Sequence, residues 1–145
     1  MCGFCGFTGQ VAGREEVIRE MADRITHRGP DSDYLDGSIA MAFRRLSIID
    51  LGGGSQPIYN EDRSKVLMFN GEIYNYRSLR EELLAAGHVF TTETDSEVLL
   101  HGFEEWKEDL LPRLRGMFAF AIWDKRETAL FLARDNFGIK PMHYT

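Results

Sequence analysis

Cys2 follows the initiator Met1 in the opening stretch MCGFCGF, and its type and place suit nucleophilic chemistry. Once Met1 is removed, a single residue carries both a thiol and a free α-amine. A terminal amine ordinarily titrates at ~7.7–8.0 and a thiol at ~8.5, so near neutral pH part of the amine is unprotonated and can take the thiol proton. The competing reading is a cysteine that merely follows a start codon, and this stretch alone leaves both open.

Three further positions could serve such a thiol, and each has a structural alternative. Asn70-Gly71 ends the apolar run Val66 to Phe69. Between apolar strands this dipeptide is a hairpin signal, but here it leads towards a helical pattern. A side-chain amide and a glycine N–H side by side could both donate to one oxygen, as an oxyanion hole requires. Arg45 shares an alternating face with Met41 and Phe43, where a guanidinium needs a carboxylate partner, from the protein or from a substrate. Asp95 falls on the first position of a helix, where it complements the dipole or binds a substrate ammonium.

The only other cysteine, Cys5, gives a C-x-x-C spacing. A zinc site needs four ligands, and the histidines at 27, 88, 101 and 143 read as isolated from one another, so no metal is expected. A redox pair belongs at a helix start, whereas this stretch reads as a strand, in which positions three apart point to opposite faces. Cys5 reads as a small buried hydrophobe.

The elements that must position these residues follow from periodicity. Residues 2–7 read as a strand and Thr8-Gly9 as a turn. Val17, Ile18, Met21, Ala22 and Ile25 form the stripe of a helix from about Arg14 to Ile25, which stops in THRGPD. HRGPDSDYLDG reads as a loop. Ser38 to Ile49 alternates with apolar residues on both faces, a doubly covered strand or pair of strands. LGGGSQP lacks the phosphate-cradle pattern and reads as a connection. After Asn70-Gly71, Leu79, Leu83 and Leu84 mark a helix with Glu81 three residues after Ser78 and Gly87 as its stop. Thr94-x-x-Glu97 forms a capping box for a helix carrying Leu99, Phe103, Trp106, Leu110 and Leu114 along one face. GMFAFAIWDK and ALFLARD are strands joined by a turn over 125–128, and RDNFGIKPMHYT closes the chain as a loop or the start of another strand. Strands and amphipathic helices in this order favour an α+β protein with two sheets.

The 145 residues fit one domain. A hydrophobic share of 43% and a charged share of 28% are those of a globular protein. No apolar run reaches the ~18 residues of a membrane span, and no signal peptide is read, so a cytoplasmic location is expected. The net charge of −6 with scattered Lys and Arg argues against nucleic acid. Small-molecule or protein partners fit better.

Together MCGFCGF, HRGPD, RRLSIIDL, FNGEIYNY, TDSEV, GMFAFAIWD and RDNFGIKP resemble the glutaminase domain of asparagine synthetases, a class II glutamine amidotransferase of the N-terminal-nucleophile (Ntn) hydrolase type. The resemblance spans the chain. It implies a four-layer αββα sandwich of two mostly antiparallel sheets, C-terminally truncated, with no ATP-pyrophosphatase synthetase domain. It also implies roles: Cys2 as nucleophile, Asn70 and Gly71 as oxyanion hole, Arg45 on the glutamine α-carboxylate, Asp95 on its α-amine, Glu72 as a further substrate contact and Arg28 as support behind the site. The implied activity is glutamine hydrolysis through a Cys thioester, supplying ammonia for ATP-dependent asparagine synthesis. Neither metal nor cofactor is implied for this step; ATP and Mg belong to the synthetase domain, normally in the same chain. A homodimer is compatible with the resemblance. The alternatives are a catalytically silent regulatory or glutamine-binding domain, or an amidotransferase for a different acceptor.

Overall fold

The structure, a computed structural model, describes residues 2–29, 31–44 and 56–145, with backbone only for 31–36. The chain divides into two compact units, residues 1–57 and 58–145.

In the first unit the glycine-spaced opening forms β1 (Gly3–Thr8), followed by α1 (Arg14–Asp23), β2 (Asp31–Asp36) and β3 (Ile39–Arg44). The sheet is antiparallel in the order β1-β3-β2. Every position of β3 is buried, as its apolar residues on both faces require. The segment that reads as a loop supplies β2 instead: DSDYLD lacks apolar alternation, and its pairing is imposed by β3 through a two-residue turn at Gly37-Ser38. Gly37 has φ 34°, and Gly-Ser between two runs is itself a hairpin signal.

Helix α1 lays Ile18 and Ala22 on Ala40 and Ala42, with Cys5, Phe7 and Met21 around them. It stops at Asp23, two residues earlier than its stripe predicts. A 3-10 turn at Thr26–Arg28 follows, in which the Gly29 N–H donates to Thr26 O. At this helix end stands Arg44, 4% exposed, whose Nε donates to Ala22 O and whose Nη2 meets Asp23 Oδ1, each at 2.9 Å. A cation at the last carbonyls satisfies acceptors that a helix end leaves open and opposes the dipole. Alternation alone singles out Arg45 as the anomalous cation, yet Arg44 is the one buried at the helix end; Arg45 lies outside the described residues.

The second unit contains β4 (Ile58–Tyr59), β5 (Lys65–Ile73), α2 (Tyr76–Ala85), α3 (Asp95–Trp106), a 3-10 segment (Lys107–Arg113), β6 (Gly116–Asp124) and β7 (Ala129–Arg134). Its antiparallel sheet runs β4-β5-β6-β7. Leu67, Phe69 and Ile73 of β5 and Phe118, Phe120 and Ile122 of β6 face Leu79 and Leu83 of α2 and Val98, Leu99 and Phe103 of α3 in one core. The two antiparallel sheets with their helices make the α+β class predicted from the sequence.

Four local expectations change. Asn70-Gly71 is no turn: β5 runs straight through it and pairs with β6 as far as Ile73, with the turn to α2 coming after it. Leu84 is 44% exposed, off the buried stripe. Ser78 and Glu81 lie inside α2, which begins after Asn75; its stop at Gly87 holds, with φ 100° and His88 N donating to Leu83 O. Helix α3 ends at Trp106 because Lys107 takes φ 51°, and all positions from Ser96 to Phe103 are buried, so it is enclosed all round.

Candidate functional site

Cys2 immediately precedes β1 and is half-buried. Strand alternation sends Cys5 towards α1, where it joins the small core, and Cys2 to the opposite face. Burial pushes the Cys5 thiol up to about 11, against the pull of Arg44, which makes it a packing residue and not a reactive thiol. Beside Cys2, Gly3 lies under Arg28: a Cβ built there would meet Arg28 Cγ at 3.1 Å. The predicted supporting residue thus covers the neighbour of Cys2, its Nε donating to His27 Nε2 at 3.1 Å. Met1, like Arg45, lies outside the described residues.

In the second unit Asn70, Gly71, Glu72 and Asp95 come together, and the register shows how. Tyr74 N donates to Arg115 O at 2.7 Å, and Asp135 N donates to Phe118 O at 2.8 Å. Antiparallel partners alternate between hydrogen-bonded and non-bonded pairs. Tyr74, Glu72 and Asn70 therefore direct their backbone groups into the ladder with β6, while Ile73 and Gly71, the latter opposite Phe118, direct theirs to the other flank. On that flank β4 pairs with β5 at Val66 and Leu67, well short of Gly71. The Ile73 N–H is taken by Asp95 Oδ2 at 3.0 Å. Two residues back along an extended strand, ~7 Å away, the Gly71 N–H faces the same way.

Gly71 cannot be replaced freely. A Cβ there would sit 2.1 Å from Met117 O and 2.7 Å from Phe118 Cα, and its φ is 156°. On the alternate face of β5 stand Asn70, half-buried, and Glu72, exposed. Burial lifts the Asp95 carboxyl above its usual range, nearby Glu72 adds to this, and the Ile73 and Ser96 N–H groups pull the other way. A partly desolvated anion of this kind gains from a cationic partner.

The capping box at α3 forms by half. Thr94 Oγ1 accepts from Glu97 N at 3.4 Å, but the Glu97 carboxylate accepts from Thr91 N at 2.7 Å and Thr92 N at 2.6 Å instead of from Thr94 N. Burial would raise the Glu97 carboxyl, yet these bonds hold it below the ordinary range. Glu97 thereby anchors the segment leading into Asp95.

Sequence reasoning misses Asp135, 3% exposed. Its carboxylate accepts from Ile139 N and Lys140 N at 2.9 Å and from Phe118 N at 3.2 Å. Burial works to raise its pKa, but the N–H groups of Lys140, Ile139 and Phe118 win and hold it low. It fixes the strand residue that faces Gly71. The available signal is an Asp three residues before Gly138 at a strand end, a turn-forming pattern.

The histidines are also not all isolated. The His88 and His101 rings lie 5.1 Å apart between centroids. Helix α3 and the exit of α2 bring these two together from separate stretches of the sequence.

In the second unit an N–H and an amide thus stand towards the end of a strand with a carboxylate one step along the same flank. The chain belongs to the glutamine amidotransferase domain family, whose model matches residues 1–145. Among curated relatives it is 51% identical over 152 residues to asparagine synthetase [glutamine-hydrolyzing] 1 of Bacillus subtilis (strain 168), covering all of this chain and 24% of the relative. It is 46% identical to synthetase 2 of the same organism, covering all of this chain and 20% of the relative. A putative asparagine synthetase of Mycobacterium tuberculosis is 43% identical, with 98% of this chain and 25% of the relative covered. The chain thus spans about a quarter of the length of these glutamine-hydrolysing synthetases and matches their amidotransferase domain.

Solved structures share the fold. An allosteric regulatory enzyme of purine biosynthesis matches with a TM-score of 0.75 at 21% identity, covering 96% of this chain and 38% of that one. The glutamine phosphoribosylpyrophosphate amidotransferase of B. subtilis, complexed with ADP and GMP, matches at 0.68 and 20%, covering 92% and 36%. Among the described residues no helix is long and apolar enough to cross a membrane.

Proposed function

We propose that this chain hydrolyses L-glutamine to L-glutamate and ammonia, with Cys2 as the nucleophile. The observation that carries the proposal is the spacing on the outer flank of β5. An N–H at Gly71 and a carboxylate at Asp95, held ~7 Å further along, fit the amide oxygen and α-ammonium of an extended glutamine, which lie ~6 Å apart. Arg45 is assigned to the α-carboxylate and Glu72 to a second contact with the ammonium end. A zwitterion is discriminated by one fixed cation and one fixed anion.

The Cys2 thiol passes its proton to the α-amine of the same residue, and the resulting thiolate attacks the amide carbon. The oxyanion is held by the Gly71 N–H and the Asn70 side-chain amide. The α-amine then gives its proton to departing ammonia, leaving a thioester. Water hydrolyses the thioester, which releases glutamate and restores the thiol. The ammonia would feed an ATP-dependent amination of aspartate in the remaining length of a synthetase like the relatives.

The test is glutamate release from glutamine by the Met1-free chain, with Cys2→Ala beside it. Loss of release in the variant supports the proposal; equal release in both removes Cys2 from the chemistry. If the Met1-free wild-type chain binds glutamine but releases no glutamate, a silent glutamine-binding domain takes its place.

A further inference from the structure

His88, His101 and Glu104 each offer one ligand atom, and these atoms lie within 4.8 Å of one another. His88 follows the stop of α2, while His101 and Glu104 are one turn apart on α3. The cluster is therefore assembled by tertiary structure from two elements, and the glutaminase chemistry uses none of it.

Its internal arrangement is that of a ligand set with supports. His101, with a side chain 2% exposed, turns Nδ1 to Glu104 Oε2 at 3.0 Å and Nε2 to Glu97 Oε1 at 3.6 Å. A metal-binding histidine commonly offers one ring nitrogen to the ion and the other to a carboxylate that fixes its orientation. Glu104 is oriented in turn: its Oε1 accepts from Asn60 Nδ2 at 2.7 Å, which leaves Oε2 on the histidine side. The Phe90 ring stands edge-on to His101 at 4.7 Å and closes an apolar wall. Glu105 Oε2, 3.1 Å from His88 Nε2, and Glu61 Oε1, 3.9 Å from His101 Nδ1, add anionic oxygens at the rim. Lys65 Nζ opposes them at 3.9 Å from the Glu104 oxygen turned away from the histidines. The carboxylates of Glu61, Glu97 and Glu105 outweigh this ammonium.

We propose that His88, His101 and Glu104 form a binding site for a borderline first-row divalent ion such as Zn²⁺, Co²⁺ or Ni²⁺. Two imidazoles with one carboxylate select this class over Mg²⁺ and Ca²⁺, which prefer all-oxygen shells. Tetrahedral Zn–N and Zn–O distances of ~2.0–2.2 Å place ligand atoms ~3.4 Å apart, so His88 must close in by at most ~1.4 Å while the His101–Glu104 pair, at 3.0 Å, needs little change. The ion would tie the exit of α2 to α3 and thereby brace the Thr91–Thr92 segment that Glu97 holds.

Co²⁺ titration of the full chain tests the site, followed by visible absorption and by the thermal midpoint. A saturable one-to-one d–d band without a thiolate charge-transfer band, a raised midpoint, and at least tenfold weaker binding in His88→Ala support it. Glu104→Gln keeps an oxygen for Asn60 and serves as the second variant, also expected to bind at least tenfold more weakly. Absence of saturable binding, binding unchanged in both variants, or a thiolate band showing that cobalt sits only on the cysteines would overturn the assignment.

Discussion

Asp135→Asn should weaken the chain markedly although it leaves the shape of the side chain almost unchanged. The wild-type carboxylate, buried at 3% exposure, accepts one N–H on Oδ1 and two on Oδ2. An amide supplies one acceptor oxygen, so whichever way it turns, its NH₂ faces at least one backbone donor. An unsatisfied buried donor costs about 1–3 kcal/mol, and loss of charge assistance at the remaining bonds brings the total to about 2–4 kcal/mol. For a chain of this length that lowers the thermal midpoint by about 5–15 °C. The pH dependence sharpens the test. The folded carboxyl lies below its ordinary value, so its contribution is fully present above the unfolded pKa of ~3.9 and is lost as pH falls through the folded value. Urea unfolding at about pH 7, 5, 4 and 3 should therefore show a wild-type advantage that is largest at neutral pH and shrinks below about pH 4. A difference under about 0.5 kcal/mol, or one that stays constant across this range, refutes the reasoning.

Asn70→Ala should lower kcat by roughly 10²–10³ while leaving the KM for glutamine nearly unchanged, because an oxyanion donor acts chiefly in the transition state; steady-state glutamate release reads both. Asp95→Asn should raise KM with a smaller effect on kcat, and the wild-type KM should climb as pH falls into the raised Asp95 range, since the protonated acid no longer holds an ammonium; KM profiles run downward from neutral pH check the sign. Arg44→Met should cost about 1–2 kcal/mol by removing a charged donor from the Ala22 carbonyl, which keeps its bond from the Ile25 N–H, whereas Asp23→Ala, which removes a partner whose side chain is 65% exposed, should cost under about 1 kcal/mol; paired denaturant melts separate the two.

The parts of this molecule legible in the sequence are those governed by local rules. The order of elements follows from periodicity and caps, and the enclosed β3 and the paired β6 and β7 from apolar runs. What is not legible depends on partners distant in sequence. DSDYLD becomes a strand only because β3 offers it an edge, and Arg44 becomes a helix-end cap only because α1 ends above it. Asn70-Gly71 carries a turn signature, but nine register pairs between β5 and β6 override it. The same override leaves the Gly71 N–H on the outer flank, so the misread turn and the candidate oxyanion donor have one cause. Asp135 and Glu97 are hidden for a related reason: both hold backbone N–H groups of loops, whose geometry no periodicity encodes. His88 and His101 meet only once α2 and α3 are packed.

Formation of a covalent γ-glutamyl thioester on Cys2 is the central claim. Its most direct test is rapid acid quenching of the Met1-free chain during turnover, followed by mass analysis of the N-terminal peptide. The expected result is a glutamyl adduct on Cys2 that disappears when hydroxylamine is added, with γ-glutamyl hydroxamate formed in its place. An adduct on Cys5, or full turnover through a route that hydroxylamine never intercepts, would contradict it.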